Sequence, residues 1–123
     1  MATNAALLFN GPATVDEAAI LISSLVEVHL AVSADPHARV YSGLADGLRL
    51  IVCHNLHNDG DPRVYGRRWQ ATFDDAEGGA RDVERAARRA YEAIARSRTG
   101  VTLLLDGRVS VAQSASGSWR LGA

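Results

Sequence analysis

The stretch "VTLLLDGRVSVAQ", residues 101–113, decides the fold. Two runs of β-forming residues flank Asp106 and Gly107, and both of these residue types tolerate positive φ. A two-residue Asp-Gly loop between such runs predicts a β-hairpin closed by a type I′ turn. The chain therefore carries antiparallel sheet near its C-terminal end, and the preceding residues must supply the remaining strands and a layer to cover them.

Immediately upstream, "ARDVERAARRAYEAIARSRTG" (80–100) sets Val83, Ala87, Ala90, Tyr91 and Ile94 on one helical face, with arginines over the rest. Gly100 is placed to end that helix in a left-handed conformation. Before it, "RVYGRRWQATF" (63–73) alternates as a half-buried strand, with Tyr65, Arg67, Trp69, Ala71 and Phe73 sharing a face. Further back, "ARVYSGLADGLRLIVCHN" (38–55) reads as two strands joined by a three-residue loop, Ala45 to Gly47, with Gly47 supplying positive φ. Thr14 and Glu17 form a capping box that opens a first helix over 14–32. In that helix Ile20, Leu21, Val28 and Val32 exceed what one buried stripe needs, so a homodimer through helix 14–32 is one expected use of the surplus.

The expected architecture is thus α+β: two helices packed on one face of a mainly antiparallel five- or six-stranded sheet, in the order β-α-β-β-β-α-β-β, with the first strand optional. One domain spans 1–123, and 1–13 and 114–123 are left as edge or flexible segments. This order resembles that of type III secretion chaperones and of several other small α+β families. The resemblance is in topology alone, over residues 14–113, without a shared motif and without the C-terminal helix those chaperones usually add.

Composition narrows the function classes. Hydrophobic residues make up 47% and charged residues 22% of the 123, which is globular rather than disordered composition. The most apolar long segment, "VDEAAILISSLVEVHLAV", carries Asp16, Glu17, Glu27 and His29, so no membrane span is expected. No Arg or Lys precedes Arg39, and a cytoplasmic location is the default expectation. Cys53 is the single cysteine, which rules out an intrachain disulfide.

Charge is uneven along the chain. Residues 1–62 hold seven acids against Arg39 and Arg49, whereas residues 63–123 hold eleven arginines against seven acids. All the basic residues are Arg, whose planar fork suits carboxylate or phosphate. Arg81, Arg85, Arg88 and Arg89 on the second helix, with Arg67 and Arg68 on the preceding strand, are the candidate partner-binding residues. Asp82, Glu84 and Glu92 offer these arginines partners within the same helix, and the net charge of −1 disfavours nucleic acid.

The polar loop "CHNLHNDGD" (53–61) holds the residue types that chemistry would need. Cys53, His54 and His57 with Asp59 or Asp61 include zinc-ligand types, and a further ligand would have to come from His29 or His37. No Cys-x-x-Cys or His-Glu-x-x-His motif accompanies them, so the loop reads as polar connection and neither metal nor cofactor is expected. A thiolate at Cys53 would need an imidazole beside it, and neighbours on a strand point to opposite faces, which handicaps His54. Asp74, Asp75 and Glu77 read as helix-capping acids.

The functional expectation is a small protein-interaction or adaptor domain, of chaperone, immunity or assembly type, binding an acidic or extended partner by its Arg-rich helix or an open sheet edge. The alternatives are a small-molecule hydrolase using Cys53, His54, His57 and Asp59, and binding of nucleic-acid phosphates through the Arg-rich helix.

Overall fold

The computed structural model describes residues 2–33, 39–58, 60–76 and 82–114. Their elements run β1 (Asn4–Phe9), α1 (Val15–Val26), β2 (Ala31–Val32), β3 (Tyr41–Ala45), β4 (Leu48–His54), α2 (Pro62–Tyr65), β5 (Trp69–Asp75), α3 (Val83–Arg96), β6 (Val101–Leu105) and β7 (Arg108–Gln113). The class is α+β with one fully antiparallel sheet, but of seven strands rather than five or six, in the order β2-β3-β4-β5-β1-β6-β7.

The strands beyond the five expected without the optional one are β1, before the first helix, and β2, just after it. The opening residues, expected at an edge or loose, form the middle of the sheet: β1 pairs with β5 from Asn4↔Asp74 to Phe9↔Trp69 and with β6 from Ala5↔Leu105 to Phe9↔Val101. Leu7, Leu8 and Phe9 are fully buried. A strand hidden on both faces is apolar without alternation, which is why "AALLF" carries no period-2 signal.

The first helix is also shorter than expected. Thr14 caps it, accepting from the Glu17 amide at 3.1 Å, and the Glu17 carboxylate reaches the Ala13 amide at 2.9 Å rather than that of Thr14. It stops at Val26 because Glu27 turns left-handed, φ 56°. Ser23 Oγ donates to the Val28 carbonyl at 2.7 Å and holds that turn, so that Val28 fills the core and the chain reverses into β2. Of the surplus apolar residues, Val28 is therefore core, Leu21 is half-buried against it, and Ile20 and Val32 remain in water.

Both Asp-Gly pairs make two-residue turns. Leu105 pairs with Arg108 across Asp106 (φ 48°) and Gly107 (φ 82°), as the hairpin reading requires. Ala45 pairs with Leu48 across Asp46 (φ 52°) and Gly47 (φ 78°), so this loop holds two residues rather than three. One register irregularity falls in β7, where Leu103↔Val111 is followed by Leu104↔Val109 and Ser110 is the extra residue. Such a bulge twists an edge strand away from further pairing.

Residues 62–65 are a single helical turn, which takes the first three residues of the strand expected over 63–73. Pro62 stands at its first position and Asp61 Oδ1 accepts from the Arg63 amide at 2.9 Å, a pair of start signals that overrides the apparent alternation. The strand begins at Trp69.

α1 and α3 lie side by side on one face of the sheet. Beneath them Leu7, Phe9, Leu48, Leu50, Val52, Ala71, Phe73, Val101 and Leu103 pack against Ala18, Ile22, Ala87, Ala90 and Ile94. On the opposite face a smaller cluster of Ala6, Leu8, Leu104 and Val109 is covered by Val64 of α2. α3 is capped by Asp82, which accepts from the Arg85 amide at 3.0 Å, and Asp74 and Asp75 belong to β5 instead. Its end is turned by Arg98 at φ 60°, and Gly100 is not left-handed. No helix among the described residues is long and apolar enough to cross a membrane.

Candidate functional site

The polar loop after β4 is a hydrogen-bonded brace. Asn55, buried, donates through Nδ2 to the carbonyls of Val64 and Arg67, each at 2.8 Å, and accepts from the His57 amide at 2.9 Å. His57 Nδ1 lies 3.2 Å from Asn55 Oδ1 and 3.1 Å from Gln70 Oε1, and Gln70 also accepts from the Leu56 amide at 2.9 Å. These bonds satisfy buried polar groups and fix the path of the chain into α2. Cys53 and His54, neighbours on β4, point to opposite faces: His54 stands edge-on to the Trp69 indole across the strand pair, ring centroids 6.1 Å apart, while Cys53 pairs with Gln70. Cys53 makes no hydrogen bond to an imidazole among the described residues, and burial raises its thiol above the ordinary cysteine value. Asp59 lies outside the described residues, as does His37. Among the described residues no group of three or more His, Cys, Asp or Glu stands close enough to hold a metal ion.

The arginines do not form one surface. Arg85 and Arg88 are on the first turns of α3 and answer acids of that helix, Arg85 to Asp82 at 3.7 Å and Arg88 to Glu84 at 2.9 Å. Glu84 also accepts from the Ala2 amide at 3.2 Å, and these contacts, the Arg88 bond first, lower its pKa. Arg89 makes no ion pair among the described residues, and Arg81 lies outside them. Arg67 and Arg68 sit at the other end of the sheet, where β5 starts, separated from Arg85 by most of the length of α3, about 16 Å at 1.5 Å per residue. Arg67 is half-buried beside Gly100 and bonds neutral acceptors, Thr102 Oγ1 at 3.2 Å and the Gln113 carbonyl at 2.8 Å, and desolvation lowers its pKa. Arg68 lies over the Trp69 ring, 4.8 Å from its centroid.

A different feature is the edge at β2, which no strand pairs among the described residues. The Ser33 amide bonds the Val40 carbonyl at 2.7 Å, and the register sets Val32 opposite Tyr41. Val32 and Tyr41 are thus a non-hydrogen-bonded pair, and the Val32 N–H and C=O face away from β3, toward the side of β2 that no strand pairs among the described residues. The Val32 side chain shares the helix-covered face with Tyr41, whose hydroxyl donates to Asp16 Oδ1 on α1. Between this edge and the flank of α1 runs a groove of about 380 Å³ lined by Ala19, Ile20, Ser23, His29, Leu30 and Tyr41. Ile20 is 70% exposed and Val32 46%. Gly43 on β3 lets the 28–30 segment cross directly over it, which seats β2 beside the groove. The helical surplus of Ile20 and Val32 was legible in the sequence, but the outward-facing backbone at Val32 follows from strand order, which no local pattern encodes.

Comparison of the chain with protein-family models, with curated proteins and with solved structures found no match.

Proposed function

We propose that this chain is a small protein-interaction domain that accepts an extended partner segment as an added strand against β2. The observation that supports the reading best is the juxtaposition at Val32: outward-facing backbone groups on an edge strand, next to an apolar groove. Strand addition draws affinity from main-chain hydrogen bonds and specificity from pockets that receive alternate side chains. An added strand paired to Val32 would send every second side chain over the helix-covered face, into the groove beside Ile20 and Leu30. The opposite edge, β7, is less suited, since its bulge at Ser110 and the exposed Arg108 both discourage pairing.

Two substitutions separate backbone from side-chain recognition. Val32→Pro deletes the outward N–H while leaving the β2–β3 bonds, a place where an edge strand tolerates proline. Ile20→Glu puts a charge in the groove from an exposed position. Peptides selected on the immobilised domain from a random library should alternate apolar and polar residues. They should bind Val32→Pro roughly fivefold more weakly, for one lost hydrogen bond of about 1 kcal/mol, and Ile20→Glu more than about tenfold more weakly. Selected peptides that bind both variants as tightly as wild type would place recognition elsewhere.

A further inference from the structure

A second cavity lies at the end of the sheet where β4 finishes, β5 begins and α1 starts. It encloses about 320 Å³ and is lined by Val15, Val40, Leu56 and Trp69, with Arg39, His54 and Cys53 completing its wall. That volume is at the lower end of the range of roughly 300–1,000 Å³ in which small-molecule sites fall, and an apolar lining with few polar groups is their usual character.

Among the residues that line this cleft Arg39 is the charged one. Arg39 pairs with Asp16 through its inner nitrogen, Nε to Oδ1 at 3.1 Å. A guanidinium has five N–H donors, more than Asp16 and the adjacent Tyr41 hydroxyl take up, and the Arg39 side chain is 54% exposed. Asp16, the partner of Arg39, is also answered by the Tyr41 hydroxyl. The first turn of α1 opens beside Val15. Thr14 satisfies the amides of Glu17 and Ala18, at 3.1 and 3.0 Å, and the amides of Val15 and Asp16 precede the first helical bond. The positive end of the helix therefore adds to the field of Arg39. Trp69 is held rigid as the apolar wall, its Nε1 donating to the Pro12 carbonyl at 2.8 Å while Arg68 stacks on the ring. Leu56, 75% exposed, stands at the rim where it would cover an apolar body entering the cleft.

We infer that this cleft binds a small organic acid with an apolar body, an alkyl or aryl carboxylate, its carboxylate on Arg39 and its body against Val15, Val40, Leu56 and Trp69. The site is separate from the β2 edge and stands or falls independently of strand docking.

The test reads Trp69 fluorescence in a Trp119→Phe background, which leaves a single indole. Octanoate, octanol and octylammonium share an apolar body and differ in the sign of the head group. Octanoate should change the emission saturably, octanol should bind about tenfold or more weakly, and octylammonium more weakly still. Arg39→Gln should bring octanoate down to the affinity of octanol and leave octanol unchanged. Leu56→Ser, at an exposed position that the fold does not need, should weaken octanoate and octanol alike. Equal affinity for the three probes, indifference of octanoate to Arg39→Gln, or no saturable change with octanoate would each overturn the assignment.

Discussion

Replacing Gly43 by alanine should destabilise the protein although its backbone is not left-handed. The reason is space. A Cβ built on Gly43 overlaps the carbonyl oxygen of His29 and comes within 3.0 Å of Val28 Cγ1 and 3.1 Å of Leu30 Cδ2. The oxygen belongs to the backbone of the segment that links α1 to β2, so relief requires that segment to lift off β3. Ser23 Oγ anchors Val28 from the other side, and Val28 is core, so the lift has little slack. Overpacking of this kind costs typically 1–3 kcal/mol, whereas the lost chain entropy of a glycine returns about 0.4–1 kcal/mol. The net expectation is a loss of about 1–2 kcal/mol, read in urea as a lower midpoint at unchanged slope. Gly60→Ala is the matched control, because its Cβ meets nothing within 4 Å and it should be neutral or slightly stabilising. Should Gly43→Ala match Gly60→Ala, the close crossing of residues 28–30 over β3 is wrong, and with it the position of the β2 edge. Gly43→Ala should also weaken any peptide that docks at β2, since it displaces the edge itself.

Gly107→Ala should cost about 1 kcal/mol or more through backbone strain alone, since φ is 82° there and the new Cβ would meet nothing within 4 Å; an unchanged urea midpoint would refute the type I′ turn. Phe73→Ala should cost about 3–5 kcal/mol from the fully buried sheet face, and a loss below 1 kcal/mol would contradict the packing described. Asp106 accepts at Oδ1 from the amides of Asn4 and Thr3, at 3.2 and 3.1 Å, and these bonds, the Asn4 amide first, lower its pKa. Its folded value lies below the unfolded one, so its stabilising effect is present above the ordinary carboxylate range and is lost as pH falls through the folded value. Thermal melts of wild type and Asp106→Asn between pH 7 and pH 3 should therefore converge at the acid end, and a constant gap would exclude this role for the charge.

What was legible in the sequence was local. The Asp106-Gly107 hairpin, the Thr14 cap and the apolar face of α3 each announce themselves within a few residues, because turn dihedrals and helix periodicity depend on near neighbours. The seven-strand count and the central place of β1 were not legible, since pairing of Ala5 with both Phe73 and Leu105 is a long-range choice. Nor was the end of α1 at a left-handed Glu27, a position that usually favours glycine and is held here by Val28 in the core and by the Ser23 bond. The site divides in the same way. Residue chemistry drew attention to Cys53, His54 and His57, yet the structure uses His57 in a brace and pairs Cys53 with Gln70 and His54 with Trp69 at alternate positions of β4. It also places Arg67 and Arg68 at one end and Arg85, Arg88 and Arg89 at the other. The β2 edge lacks any distinctive residue type, and only strand order exposes it.

Strand docking at β2 is tested most directly by hydrogen exchange of single amides, with and without a peptide selected on the domain. In the free protein the Val32 amide faces the open side of the sheet and should exchange fast, while the Ser33 amide, bonded to the Val40 carbonyl, should be the slower of the two. Docking predicts that saturating peptide slows Val32 strongly and leaves the amides of β7 and α3 unchanged. Protection that appears along β7 or on the arginine face of α3, with Val32 still exchanging fast, would contradict it.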